Sequence, residues 1–171
     1  MSQVTAMRKR NYLFAVMLAM GLSGCAGDQP KISATFNESA SLTGDLPANP
    51  LQWQFITATS SQAESSMATL YGNDVAVHYA RTNAQHSYPP NSVLALVTWT
   101  QQDDPRYFGG RIPGQVKSVE FVFVKAGGGG VPQYSYQQYE GTPLKKSSSQ
   151  DGPTPNDRAA YLLSQRAAVM P

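Results

Sequence analysis

The sequence holds a single cysteine, Cys25, in 171 residues. One thiol excludes an intramolecular disulfide and any zinc site built on several thiolates. Charge is also scarce: 14% of the residues are Asp, Glu, Lys or Arg, with a formal net charge of +2. Three of the 13 basic residues are Arg8, Lys9 and Arg10, and without them the remainder carries a balance of −1 against 11 acidic residues. A near-neutral chain lacks the basic footprint that phosphate backbones require, so no nucleic-acid partner is expected. No apolar run approaches the roughly 20 residues of a membrane-spanning helix. There is no Ser-His-Asp order and no metal-binding helix motif. Gly127 to Gly130 lacks the Lys-Ser/Thr pair that would make it a phosphate loop. What remains is a chain of one-domain length, 41% hydrophobic, which is enough to build a core.

The first 25 residues carry a pattern of their own. Met7-Arg8-Lys9-Arg10 is a basic stretch, and Leu13 to Leu22 is an apolar run of about half the spanning length. Leu22-Ser23-Gly24-Cys25 follows and resembles the lipobox of bacterial lipoproteins. The resemblance implies a signal peptide over residues 1–24, cleavage between Gly24 and Cys25, and a thioether from the Cys25 sulfur to diacylglycerol. Acyl chains such as palmitate would then hold the chain to a lipid bilayer, each buried methylene adding about 0.8 kcal/mol. Ala26, in place of an aspartate, points to the periplasmic face of the outer membrane.

Residues 25–50 are rich in Ser, Thr, Asn, Gly and Pro, with sparse apolar residues (Ile32, Phe36, Leu42, Leu46) in no regular period. This composition predicts a lipidated flexible tether, leaving residues 51–171 as the folded domain. Trp53, Phe55 and Ile56 open that domain, and Met67 to Tyr71 is a short apolar stretch ended by Gly72. Asn73 or Asp74 would cap a helix over Asp74 to about Arg81. Ser92 to Thr100 reads as a strand covered on both faces. Gln101 to Gly114 reads as a loop. In Ser118 to Lys125, Val119, Phe121 and Phe123 alternate with Glu120, Val122 and Val124, which predicts one core face and one partly open face. Gly127 to Gly130 would turn this strand into another at Tyr134 to Tyr139. After a second linker from Lys145 to Asn156, a terminal helix is predicted over Asp157 to about Val169, with Leu163 as its core anchor. The fold class is α+β: an antiparallel sheet packed with flanking helices.

Several stretches resemble the cytochrome P-460 domain family: Met67-Ala68-Thr69-Leu70-Tyr71-Gly72-Asn73-Asp74, Tyr88-Pro89, Val93 to Trp99, Phe108-Gly109-Gly110-Arg111-Ile112-Pro113-Gly114, and Ser118 to Phe121. They cover roughly Trp53 to Pro143. The resemblance implies a sheet with flanking helices and, in haem-bearing members, a c-type haem held by a Cys-x-x-Cys-His motif near the C-terminus. Here no cysteine follows Cys25 and the last residues, Ala167 to Pro171, contain no histidine, so a c-type haem has nothing to attach to. Lys117 and Lys125 are the strand-adjacent lysines available for the family's porphyrin cross-link. No cofactor is expected, with a non-covalent haem left open.

Candidate binding residues are few. His78 and His86 carry imidazoles suited to iron or another metal, but without metal-ligand spacing, and loop or surface histidines explain them as well. His86, in a loop, is the choice if haem binds non-covalently. Glu120 would act as an acid or base if pocketed, whereas the alternation turns it to solvent. Tyr107, Phe108 and Arg111 occupy a glycine-rich loop able to close over a flat or anionic ligand, or to plug a turn. Tyr134 and Tyr136 share a face that ordinary sheet packing accounts for. The expected function is a membrane-anchored periplasmic binding module for a small ligand or an envelope protein rather than an enzyme. A redox protein with non-covalent haem and a structural envelope lipoprotein are the alternatives.

Overall fold

A computed structural model describes residues 37–82, 87–147 and 153–168. The elements are β1 (Gln54–Ser61), β2 (Ser66–Gly72), α1 (Asp74–Thr82), β3 (Val93–Asp103), β4 (Arg111–Lys125), β5 (Gln133–Glu140), β6 (Lys145–Lys146) and α2 (Pro155–Ser164). The strands form one antiparallel sheet in sequence order, β1 to β6. This is the α+β class expected from the sequence.

The period of two decides which residues meet on each side of the sheet. Leu70, Leu94, Leu96, Val122 and Val124 point to one face. There they pack with Ala76 and Val77 of α1 and with Ala159 and Leu162 of α2. Ala95, Val97, Trp99, Val119 and Phe121 point to the other face and pack with Tyr139 and Leu144. Both faces of β3 are therefore covered, as its unbroken apolar run predicts. β4 departs from expectation. Its second face is closed by α2, which packs against β4 and β5.

Asn73 governs the join between sheet and helix. Its side-chain oxygen accepts from the Ala76 N–H (3.0 Å), which caps α1, and from the Val93 N–H (3.1 Å). Its side-chain nitrogen donates to the Asn91 carbonyl (2.8 Å), and its own N–H donates to the Val93 carbonyl (3.0 Å). Gly72 lies beneath this turn, where an added Cβ would meet Ile56 Cδ1 at 2.7 Å and Ala76 Cβ at 3.0 Å. α2 starts on a capping box: the Thr154 hydroxyl accepts from the Asp157 N–H, and the Asp157 carboxylate accepts from the Thr154 N–H.

Four boundaries differ from those the sequence predicts. Residues 37–50, assigned to the tether, belong to the domain. Ala40, Leu42 and Leu46 pack on the second face, the Trp99 indole N–H donates to the Ala40 carbonyl (3.0 Å), and Gly44 pairs in parallel with Leu144. Their apolar side chains follow no period because they cover a sheet as irregular chain. The predicted loop from Gln101 to Gly114 shrinks to residues 104–110, since the flanking polar residues are strand: Gln101 pairs with Pro113 and Asp103 with Arg111. The sheet also holds more strands than the pattern suggests, because polar β1 and two-residue β6 leave little apolar signature. Finally, α2 ends at Ser164 and is anchored by Leu162 and Ala159, with Leu163 only half-buried. Beyond it the Ala168 N–H donates to the Ile56 carbonyl (2.8 Å), which draws the chain out along β1.

Replacing Asn73 by Ala removes a cap and orphans the Val93 N–H, with an expected loss of about 2 kcal/mol in urea unfolding. Gly44→Ala tests the docked segment. Gly44 sits at φ +135° against the backbone of Leu144, so the variant should lose about 1–3 kcal/mol. A free tether would lose nothing.

Candidate functional site

The sequence candidates do not converge. Glu120 and Arg111 stand on the same strand nine residues apart, about 30 Å of extended chain. Glu120 faces the helices, while Arg111 opens β4 at the sheet's end beside the 104–110 loop. His86 lies outside the described residues. His78 is exposed on α1.

Glu120 is buried, at 3% exposure, and is the centre of a charged cluster rather than a solvent-facing residue. Arg158 of α2 donates from Nη2 to Oε1 (2.7 Å) and from Nε to Oε2 (2.9 Å), the paired geometry that suits a guanidinium to a carboxylate. The Tyr136 hydroxyl donates to Oε2 (2.7 Å). The guanidinium also lies over the Tyr161 ring, 5.0 Å from its centre. Burial, the bond to Glu120 and the Glu120 charge hold the Tyr136 phenol protonated far above its ordinary range. The Glu120 hydrogen bond likewise raises the Arg158 guanidinium. Every oxygen of the carboxylate is engaged. The cluster fastens α2 to β4 and leaves no lone base for proton transfer. The alternation did assign Glu120 to the face opposite Phe121; it did not reveal that a helix covers that face.

The 104–110 loop is a tight, self-bonded turn. The Arg106 N–H donates to Asp104 Oδ1 (2.8 Å), the Asp104 N–H to the Gly110 carbonyl (2.9 Å), and the Gly110 N–H to the Tyr107 carbonyl (2.9 Å). The Arg106 bond holds the Asp104 carboxyl below its usual range. Tyr107 is 68% exposed and Phe108 wholly exposed, so neither plugs the turn nor lines a cavity. Arg111 pairs with Asp103 and borders an open polar cleft of about 520 Å³ with Ser60, Gln62, Ser65, Met67 and Gln101.

The sequence reading missed a second aromatic group. Phe55, Tyr71, Ala95, Phe121 and Gln137 are in register across five strands, and Val93, Phe123 and Ser135 form the next row. Trp53 meets Phe121 edge-on, with ring centres 6.1 Å apart, and Phe121 stacks on Phe123 at 5.9 Å. Phe121 is fully buried, whereas Trp53, Tyr71, Val93 and Phe123 are only half-covered and Phe55 is exposed. An apolar shelf edged by Ser135 and Gln137 results, on the face away from the helices. The signal was present in the sequence as aromatic residues at odd positions of separate strands, but only the register aligns them.

The fold and these surfaces define an α+β domain with helices on one face of an antiparallel sheet and an aromatic shelf on the other. The sequence matches the family model for cytochrome P460 over residues 47–155, more than half of the chain, and the chain belongs to that family. No curated protein matches it. The family's name implies haem, and the residues present do not fit a covalent one: the only cysteine, Cys25, precedes the matched span. Among the described residues the shelf carries no histidine, since His78 projects from α1 on the opposite side, and Lys117 and Lys125 are exposed.

Two measurements test the charged cluster. Arg158→Ala strands a buried carboxylate and should cost about 3–5 kcal/mol, whereas Glu120→Leu combined with Arg158→Met should cost less than the single change. The second is alkaline unfolding. Unfolded Tyr136 ionises near 10 and folded Tyr136 well above it, so from pH 10 upward the unfolded state holds fewer protons and stability falls. Tyr71 and Tyr88, raised chiefly by burial, add to the slope in the same direction. Tyr136→Phe should flatten the decline in denaturant midpoint above pH 10.

Proposed function

We propose that this chain is a lipid-anchored periplasmic lipoprotein whose cytochrome P460 domain binds a small flat or apolar ligand without covalent haem. The half-covered aromatic shelf of Trp53, Phe55, Tyr71 and Phe123 carries the reading. Aromatic side chains left partly open on a rigid sheet are surfaces on which planar molecules stack, and the neighbouring Ser135 and Gln137 supply polar contacts to orient them. Anchoring is supported by the basic stretch, the short apolar run and the Leu22-Ser23-Gly24-Cys25 tetrapeptide, with Ala26 favouring the outer membrane. The fully engaged Glu120 carboxylate supports binding over acid–base catalysis.

Titrating the purified protein with an anilinonaphthalene sulfonate dye should raise dye fluorescence, with energy transfer from tryptophan. Phe123→Ala and Tyr71→Ser should weaken dye affinity by about tenfold, one or two stacking contacts' worth. Unchanged affinity in both variants would remove the shelf as the site. Haemin titrated in parallel should leave no Soret band after gel filtration; a surviving band would make the protein a haem carrier instead. Cys25→Ser should move the chain from the membrane fraction to the soluble one.

A further inference from the structure

The most exposed aromatic pair in the described residues, Tyr107 and Phe108, occupies the tip of the β3–β4 hairpin. Hydrogen bonds within residues 104–110 fix this tip, so its two rings stand outward as part of a formed turn. The same end of the sheet receives the incoming chain. The Asn37 side chain donates to the Pro113 carbonyl (2.7 Å), and the Gln102 side chain donates to Ser39 Oγ (3.1 Å) and to Pro113 (3.1 Å). Pro113 lies two residues into β4 from Arg111, about 7 Å of strand. The other end of β4, with the Gly127–Gly130 turn, lies about 45 Å away along the strand. Eleven residues separate Asn37 from Cys25, so a lipid-bearing Cys25 is held within about 40 Å of Asn37 by the covalent chain alone. Of the two ends of the sheet, the one bearing Tyr107 and Phe108 is thus the one tied to the anchor.

We infer that the Tyr107–Phe108 tip is a membrane contact, seated at the headgroup–acyl boundary of the leaflet that holds the lipid on Cys25. A phenyl ring partitions into the acyl edge, and a phenol sits with its ring beside it and its hydroxyl among the headgroups. The tip is charge-balanced, since Arg106 pairs with Asp104 and Arg111 with Asp103. The attraction is therefore apolar, and zwitterionic lipid suffices. Two rings hold a free protein to a bilayer only weakly, but the anchor makes their insertion a local event at high effective concentration. The contact fixes which side of the domain faces the bilayer. This inference rests on the lipid-anchor reading.

The test uses the full lipid-modified chain carrying Phe108→Cys, reconstituted in phosphatidylcholine vesicles. With Cys25 blocked as a thioether, the thiol introduced at position 108 is the one that takes a solvent-sensitive fluorophore. Val131→Cys, at the opposite end of the sheet, is the matched control. The protein should float with the vesicles. The probe at 108 should shift to the blue and be quenched by nitroxide lipids about threefold more than the probe at 131, with no loss in high salt. A chain that floats while its probe at 108 is as wet as that at 131 overturns the tip contact and leaves the anchor standing. A chain that does not float removes the anchor, and the inference with it. A probe at 108 that dries only at high protein density marks contact between copies and also overturns the inference.

Discussion

The fold depends on one side-chain amide that makes three hydrogen bonds. Asn73 ties the N-terminus of α1, the start of β3 and the loop at Asn91 to a single side chain that bonds through both its oxygen and its nitrogen. Because the side chain is short and its bonds are directional, the helix can leave β2 in only one direction. Gly72 permits the close approach of Ile56 and Ala76 that this direction requires. α1 then lies on the same face that Leu70, Leu94 and Val122 present, and the first core follows. A second polar fastening, between Glu120 and Arg158, does the same for α2 from the opposite side of that core. Both helices are thus placed by polar geometry, while the apolar residues provide the driving force but little directionality.

Much of this was legible in the sequence, for identifiable reasons. The unbroken run at Val93 to Trp99 needed both faces covered, and it is the central strand. The Tyr-Gly-Asn-Asp turn signalled a helix start and supplied one. What stayed hidden depended on contacts distant along the chain. Residues 37–50 look like a linker because irregular chain laid on a sheet has no period. The polar ends of β3 and β4 look like a loop because ladder bonds hold them, with little help from burial. Glu120 was placed on the correct face, but a strand's alternation carries no information about a helix that arrives 35 residues later. The site was less legible than the fold. Tyr107, Phe108 and Arg111 were found but are not gathered into a pocket, and the shelf emerges only when the register brings Phe55, Tyr71 and Phe121 into one row.

Membership of the cytochrome P460 family without a cysteine in the matched span to form thioethers to haem separates two properties that a name joins. The sheet needs no porphyrin to close its cores: the aliphatic face is filled by helices, and the aromatic face is filled at its centre by the chain from Ala40 to Leu46. Aromatic residues that would flank a planar group remain where the register puts them. A scaffold of this kind can lose a covalent ligand and keep its shape, because its stability resides in interstrand pairing and side-chain packing.

The parallel pairing of Gly44 with Leu144 has a mechanical consequence. A pull on the chain ahead of Asn37 reaches the Asn37 and Ala40 contacts first and then the Gly44 bridge, before it can act on β1. The bridge joins a segment near the start of the domain to one that follows β5, so tension passes to the middle and far side of the sheet. The outermost strand is thereby spared from peeling, and the early segment serves as strain relief for the whole domain.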